Sequence, residues 1–506
     1  MDYAENIWPT VAMLLVLMGA ILFLVFRGAK KTSNIEDYAL GSFAFSPAAV
    51  GLALAASMTS AATFIINPGL IGLYGYSGVI SYALVLPAAA FISLIVLTKR
   101  FREHGTRVKA LTMAQWMGNR YQSKGYATGF AILSILLVTF IVLIVVGLAQ
   151  LLAPPLNADP IYVMIGIVVF VFGYMMFGGA NSLVYTNTIQ ALLMLAVAII
   201  LLISGREYFA NGFAGFTKLL SEINPVLTEP TNPQSFLFRD YFEIIFCQVV
   251  IGIAIVCQPH IITKSLILKK ESEVNRYLTA GIATMVIFFL VVIVGLYARI
   301  MFPDMQVNGN PIKPDQLVPT YIVERFNIGM GLFVTLGLIA AGISTLEGLI
   351  QSLSVTFTSD LILANSPKLN SLPNRKKILL NRTVIAVLAL LTILLSARQI
   401  TSPDLSVAIF AQNGVYAFFS AAFFPLVMGM FSKKTSSTAA ITSSLVAIIV
   451  HFSVYYGDIG PYMQGAVNNP AVASTYAILA SVMVGTGILL FVKSQSVSLT
   501  PKSTTA

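Results

Sequence analysis

The chain has 506 residues, of which 57% are hydrophobic and 10% charged, with a formal net charge of +10. A soluble globular protein carries about a quarter charged residues. This composition therefore excludes an ordinary soluble domain and points to an all-α protein that crosses the bilayer many times.

A transmembrane helix needs roughly 20 mostly apolar residues. In chain order, apolar windows predict spans near 6–27, 44–66, 73–98, 126–153, 160–178, 182–204, 240–262, 276–302, 328–362, 383–397, 405–431, 438–456 and 472–492. That makes about thirteen spans, each a helix because lipid leaves backbone polar groups no other partner. The first window follows an acidic start, "MDYAENIW", and ends in "RGAKK". A secretory signal peptide has the reverse polarity, so this run reads as a retained span. The tail "SQSVSLTPKSTTA" reads as disordered. Cys247 and Cys257 share one apolar run and read as buried thiols.

Lysine and arginine are concentrated in "RGAKK", "KRFREHGTRVK", "KSLILKKESEVNR", "PKLNSLPNRKK" and "SKK", all on one side of the predicted topology. The positive-inside rule makes that side cytoplasmic, with the N-terminus external and the C-terminus cytoplasmic in the plasma or inner membrane. The positive charge is then topology and not a nucleic-acid footprint. The longer loops, 205–239, 303–327 and 457–470, are external, and none is long enough for a separate domain.

Two helices carry break signals. "LAASMTSAATFIINPG", residues 54–69, is rich in small and hydroxyl residues and ends in Pro68-Gly69. "CQPHIITKSL", residues 257–266, holds Pro259 inside a span. Transport sites lie where helices break in matching positions of two repeats. The breaks fall in the second and seventh spans, which suits two five-helix repeats. The chain then divides into 1–43 (flanking helix and cytoplasmic loop), 44–239 (first repeat and external loop), 240–431 (second repeat), and 432–506 (two flanking helices and tail). The competing readings are a small-residue packing face for the first stretch and a plain proline kink for the second.

Within "AGISTLEGLIQSL", residues 341–353, Ser344 and Thr345 offer hydroxyl oxygens to a cation such as sodium. The alternative is that they bond back to their own helix carbonyls. Glu347 follows on nearly the same face. A carboxylate inside the membrane is a functional-site hypothesis by default; its structural alternative is a protonated side chain bonded to a neighbour. Further polar clusters are "YTNTIQ" (185–190) and "AQNGVYAF" (411–418). Among the histidines, His260 stands at a break, His104 in a basic loop, and His451 in a packing helix.

Three segments, "ALTMAQWMGNRYQS", "FGGANSLVYTNTIQALL" and "AAGISTLEGLIQSLSVTFTSDLI", together resemble the sodium:solute symporter family, a likeness that covers nearly the whole chain. The resemblance implies the LeuT-type fold, with two inverted five-helix repeats plus flanking helices. It implies a sodium site with carbonyls from Ala56, Thr59 and Ala341 and hydroxyls from Ser344 and Thr345. It places substrate at mid-depth, near Asn67, Pro68, Gln258, His260 and Gln412.

This sequence departs from the family in one respect. Many members carry an aspartate where Asn187 stands here. One reading moves the charge to Glu347, which then serves a second cation or a proton; its rival leaves Glu347 neutral and bonded to Asn187. "QPHII" and "SMTSAATFIINPG" resemble the monocarboxylate and pantothenate branches. The expected activity is therefore sodium-coupled symport of a small organic acid by alternating access. Proline-type amino acids come second and sugars third. Sodium is the coupling ion, no cofactor is expected, and the partners are solute, sodium and lipid, with no obligate protein partner evident. A transporter-like sensor and a sodium-independent facilitator are the rival classes. No paired carboxylates, metal-spaced histidines or Ser-His-Asp set point to an enzyme.

Overall fold

The computed structural model describes residues 7–491 except 31, 43, 308, 403–405 and 466. The tail read as disordered lies outside the described residues. Among the described residues, ten helices are long and apolar enough to cross a membrane, or up to twelve if each of two bent pairs is one span. Joining each bent pair and adding one shorter apolar helix, we label them as follows. The first half is α1 (Ile7–Ala29), α2 (Pro47–Met58 with Ala62–Tyr74), α3 (Tyr76–Arg107), α4 (Lys124–Leu152), α5 (Pro160–Met175) and α6 (Ala180–Ser204). The second half is α7 (Phe242–Ile255 with Pro259–Ile267), α8 (Glu271–Met301), α9 (Ile328–Leu363), α10 (Asn374–Thr401), α11 (Val407–Phe431), α12 (Ser437–Tyr456) and α13 (Pro470–Phe491). Every predicted window overlaps one of these helices, and α5, at 16 residues, is the short one.

Both breaks follow from local chemistry. In α2 the Ser46 hydroxyl caps the N-terminus and Pro47 opens the first turn. The helix stops at Thr59, whose backbone is extended (φ −107°, ψ 108°). There the Thr59 hydroxyl donates to the Ala55 carbonyl (2.6 Å), and the Ser60 hydroxyl accepts from the Ala62 N–H (3.1 Å). The Ser60 hydroxyl thus supplies a bond that a continuous helix would have made with backbone, while the Thr59 hydroxyl adds a second donor to a carbonyl already bonded by the Thr59 N–H. In α7 the residue before Pro259 is pushed out of the helical region, and Gln258 is extended (φ −101°, ψ 138°). Each break bends its helix by 59°.

The two interrupted helices pack reciprocally. In α2, Gly51 lies so close to α8 that a Cβ there would collide with the Tyr277 carbonyl. In α7, a Cβ on Gly252 would meet the Leu86 carbonyl of α3 at 2.6 Å. The first helix of each predicted five-helix repeat, α2 or α7, therefore packs on the second helix of the other, α8 or α3, as paired inverted repeats require. Glycine allows the backbones to touch.

The outer helices present apolar side chains to lipid. On α10, Val387, Leu390 and Leu394 are all exposed and lie on one helical face. Cys247 and Cys257 are buried free thiols.

Several segments read as loops are ordered. The basic run "KRFREHGTRVK" is largely the end of α3, which continues to Arg107 before the left-handed turn at Lys109 (φ 50°). His104 thus belongs to a helix and stands edge-on to Trp116 (centroids 5.0 Å apart). On α10 the window 383–397 was too short: the helix begins at Asn374, just after Pro373. Its basic first turns are charged enough to hide from an apolar window. The segment 205–239 holds a helix, Gly212–Ile223. The segment 303–327 holds an antiparallel hairpin, β1 (Gln306–Val307) and β2 (Asn310–Pro311), followed by a helix, Pro314–Arg325.

Candidate cation and solute site

α9 runs beside the break in α2, and the two helices bring four oxygens together. The Ser344 hydroxyl donates to the Ala56 carbonyl (2.8 Å) and to the Ala341 carbonyl (3.0 Å). The Thr345 hydroxyl donates to the same two carbonyls (3.4 and 3.3 Å). All four residues are fully buried. A hard cation that takes oxygen ligands at about 2.3–2.6 Å, as calcium does, leaves neighbouring ligands roughly 3.4 Å apart. The Thr345 hydroxyl keeps that spacing from both carbonyls, whereas the Ser344 hydroxyl sits nearer, at hydrogen-bond distance. The back-bonding alternative is also present, because both hydroxyls reach Ala341 on their own helix. They additionally cross to Ala56, which back-bonding alone does not require. Thr59 ends the adjoining helix segment and is also fully buried, with its backbone freed from helical geometry.

Glu347 is 1% exposed. The Tyr174 hydroxyl donates to its Oε1 (2.5 Å) and the Thr186 hydroxyl to its Oε2 (2.8 Å). With both oxygens accepting, the arrangement suits a carboxylate. Asn187 is not its partner: the Asn187 amide donates to the Ser57 hydroxyl (3.1 Å), which in turn donates to the Ser344 carbonyl (3.4 Å). Successive helix residues point about 100° apart. Thr186 thus faces α9 while Asn187 faces α2. The Asn187 side-chain oxygen is buried without a hydrogen-bond partner, next to the oxygen cluster.

The motif "FGGANSLVYTNTIQ" has a backbone reason for its glycines. Gly179 starts α6 at φ 107° and packs on Tyr38, where a Cβ would meet the ring at 2.8 Å. The Tyr38 hydroxyl donates to the Met175 carbonyl (2.9 Å), tying α5 to the start of α6. Tyr174 and Thr186 are held on either side of this junction.

A cavity of about 120 Å³ opens between the two breaks, lined by Ser60 and Thr63 from α2, Gln258 and His260 from α7, and Tyr82 and Tyr416. Asn67 and Gln412 also line it. Pro68 does not: its carbonyl faces Gly295 of α8, the result of the helix turning between adjacent residues. Both ring nitrogens of His260 and the side-chain amide oxygen of Gln258 are buried without partners. His104 and His451 line neither this cavity nor the smaller one below.

Lys264 was read as part of a basic loop. It is instead buried (7% exposed) in the second segment of α7. It lines a smaller cavity of about 30 Å³ towards the basic end of the bundle, together with His260, Thr112 and Gln351. Tyr174, Thr186, Ser57 and Lys264 were all missed as site residues. A lysine five residues beyond a helix-breaking Pro259 was the one local signal available.

A helical membrane bundle with two interrupted helices meeting at a central cavity, and an oxygen cluster at one break, defines a secondary transporter with inverted repeats. The model of the sodium:solute symporter family matches residues 38–447. The chain belongs to that family. It is 27% identical to sodium/pantothenate symporters of Haemophilus influenzae (87% of this chain, 88% of the relative) and Escherichia coli (88% and 90%). It is 23% identical to a monocarboxylic acid transporter of Corynebacterium glutamicum (88% and 82%). In structure it is similar to a Na+-coupled sialic acid symporter, with a TM-score of 0.80 at 18% identity over 96% of this chain and 99% of that one. The fold is of the LeuT type.

Proposed function

We propose that this protein is a sodium-coupled symporter importing a small organic acid of the pantothenate or monocarboxylate kind by alternating access. One observation carries the reading: two hydroxyls of α9 and a carbonyl freed at the break of α2 converge beside a solute cavity. Sodium is bound by the Ala56, Thr59 and Ala341 carbonyls and the Ser344 and Thr345 hydroxyls. Such neutral oxygens hold the ion loosely enough to release it. Because the cluster joins α2 to α9, the bound ion stabilises one arrangement of the two helices, and its loss frees them to move.

His260, Gln258, Asn67 and Gln412 orient the solute. An N–H of the buried, unpartnered His260 ring suits a carboxylate. The pantothenate and monocarboxylate relatives support that chemistry. Glu347, with the Tyr174 and Thr186 hydroxyls on its two oxygens, is a second position for a cation or a proton, and Asn187, turned to Ser57, stands apart from it. The basic end of the bundle faces the cytoplasm of the plasma or inner membrane, which places the N-terminus outside.

The test is uptake into proteoliposomes of labelled pantothenate, pyruvate, acetate and proline, with and without a sodium gradient. Accumulation of an acid above equilibrium, only with sodium, is expected. Equilibration without sodium dependence would reduce the protein to a facilitator. Accumulation of proline alone would overturn the substrate class.

A further inference from the structure

Lys264, a buried residue whose side chain lines the smaller cavity, has no role in the site as described. Among the described residues its Nζ makes no hydrogen bond or ion pair, although more than nine-tenths of the residue is shielded from solvent. An unpaired charge at such a position is costly and marks a functional site by default. Its nearest acid in electrostatic reach is Glu347, but both carboxylate oxygens there are already engaged by Tyr174 and Thr186.

Position supplies the rest. His260 lines both the central cavity and the smaller cavity that holds Lys264. It forms the partition between them, and its two ring nitrogens are buried without partners. Gly348 of α9 lies against His260, its Cβ position 3.7 Å from the His260 Cβ. At about 30 Å³, the smaller cavity holds little more than a water molecule. It lies on the basic-end side of the partition, lined by Ala39 and Thr112 from the segments that follow α1 and α3.

The geometry points to Lys264 as a second carboxylate-binding subsite, beyond His260 on the exit path of an anionic solute. The inference rests on the organic-acid reading above. As the bundle opens towards its basic end, the solute's carboxylate passes from His260 to the lysine. The ammonium gains the partner it lacks and the anion avoids a bare low-dielectric passage. Because this subsite lies past the partition, it governs turnover and not capture from the outer side.

The experiment uses the full chain in proteoliposomes with whichever labelled acid the wild type accumulates. Lys264→Gln is expected to lower turnover about tenfold or more, with external half-saturation changed by less than about threefold. Lys264→Arg, which keeps the charge, is expected to retain most of the turnover. The double variant Lys264→Gln with Glu347→Gln is expected to be no faster than Lys264→Gln alone. Sodium-dependent equilibrium binding of the acid to purified Lys264→Gln checks that the protein is folded. If that variant does not fold, the arginine variant decides, and loss of turnover in it despite retained binding overturns the proposal. Wild-type turnover in Lys264→Gln also overturns it. So does recovery in the double variant, which would make the lysine a counter-charge to Glu347. If the wild type accumulates none of the acids, the organic-acid reading fails first, and separately.

Discussion

The Ser344 hydroxyl lies 2.8 Å from the Ala56 carbonyl, a residue 288 positions away in the chain. This contact joins α9 to α2 at the point where α2 stops being a helix. The proposed ion site and the junction of the two helices therefore share the same atoms.

Ser344→Ala and Thr345→Ala each remove one hydroxyl of the proposed sodium shell. Each should raise the half-saturating sodium concentration about tenfold, the equivalent of one lost charge-assisted contact of roughly 1.4 kcal/mol. Solute affinity measured at saturating sodium should move much less. Sodium titrations of uptake decide it. Unchanged sodium dependence in both variants would reassign the hydroxyls to helix back-bonding.

Glu347→Gln is expected to lower the number of cations coupled to each solute, read from reversal potentials in proteoliposomes. An unchanged ratio would remove Glu347 from the coupling machinery. Tyr174→Phe and Thr186→Val leave a carboxylate oxygen without its donor in a buried place. Each should cost about 1–3 kcal/mol of stability, or weaken coupling in the same direction.

His260→Ala should raise the half-saturating concentration of an acidic solute about tenfold or more, since it removes a buried donor from the cavity. The sodium dependence should shift little. Equal loss for both ligands would make His260 a structural residue at the break of α7 and not a solute contact.

Gly51→Leu forces a side chain against the Tyr277 carbonyl of α8. Overpacking of this kind costs about 1–3 kcal/mol or more. Lower thermal stability of the purified variant is expected. A fully stable Gly51→Leu protein would show that α2 and α8 do not need their close contact.

Much of this molecule is legible in its residue order, because a transmembrane helix is a local property. Its apolar length and its ends are set by nearby residues, and lipid leaves the backbone no other conformation. The windows, the interrupted stretches 54–69 and 257–266, and the polar strings around Asn187 and Ser344 could all be read that way, but Pro68-Gly69 marked the wrong end of the first: the helix stops at Thr59, and Pro68 lies in the first turn of Asn67–Tyr74. Reading basic stretches as loops went wrong where helix ends are themselves basic. "KRFREHGTRVK" is helical and Lys264 is buried, although both resemble loop sequence. What only the tertiary structure decided is which groups meet. Glu347 took Tyr174 and Thr186 as partners, while Asn187 turned to Ser57, because rotation along α6 sends adjacent side chains to different helices. Pro68 left the cavity for the same reason. The residue order determined which helices exist and where they break; the packing of distant helices against one another determined the site.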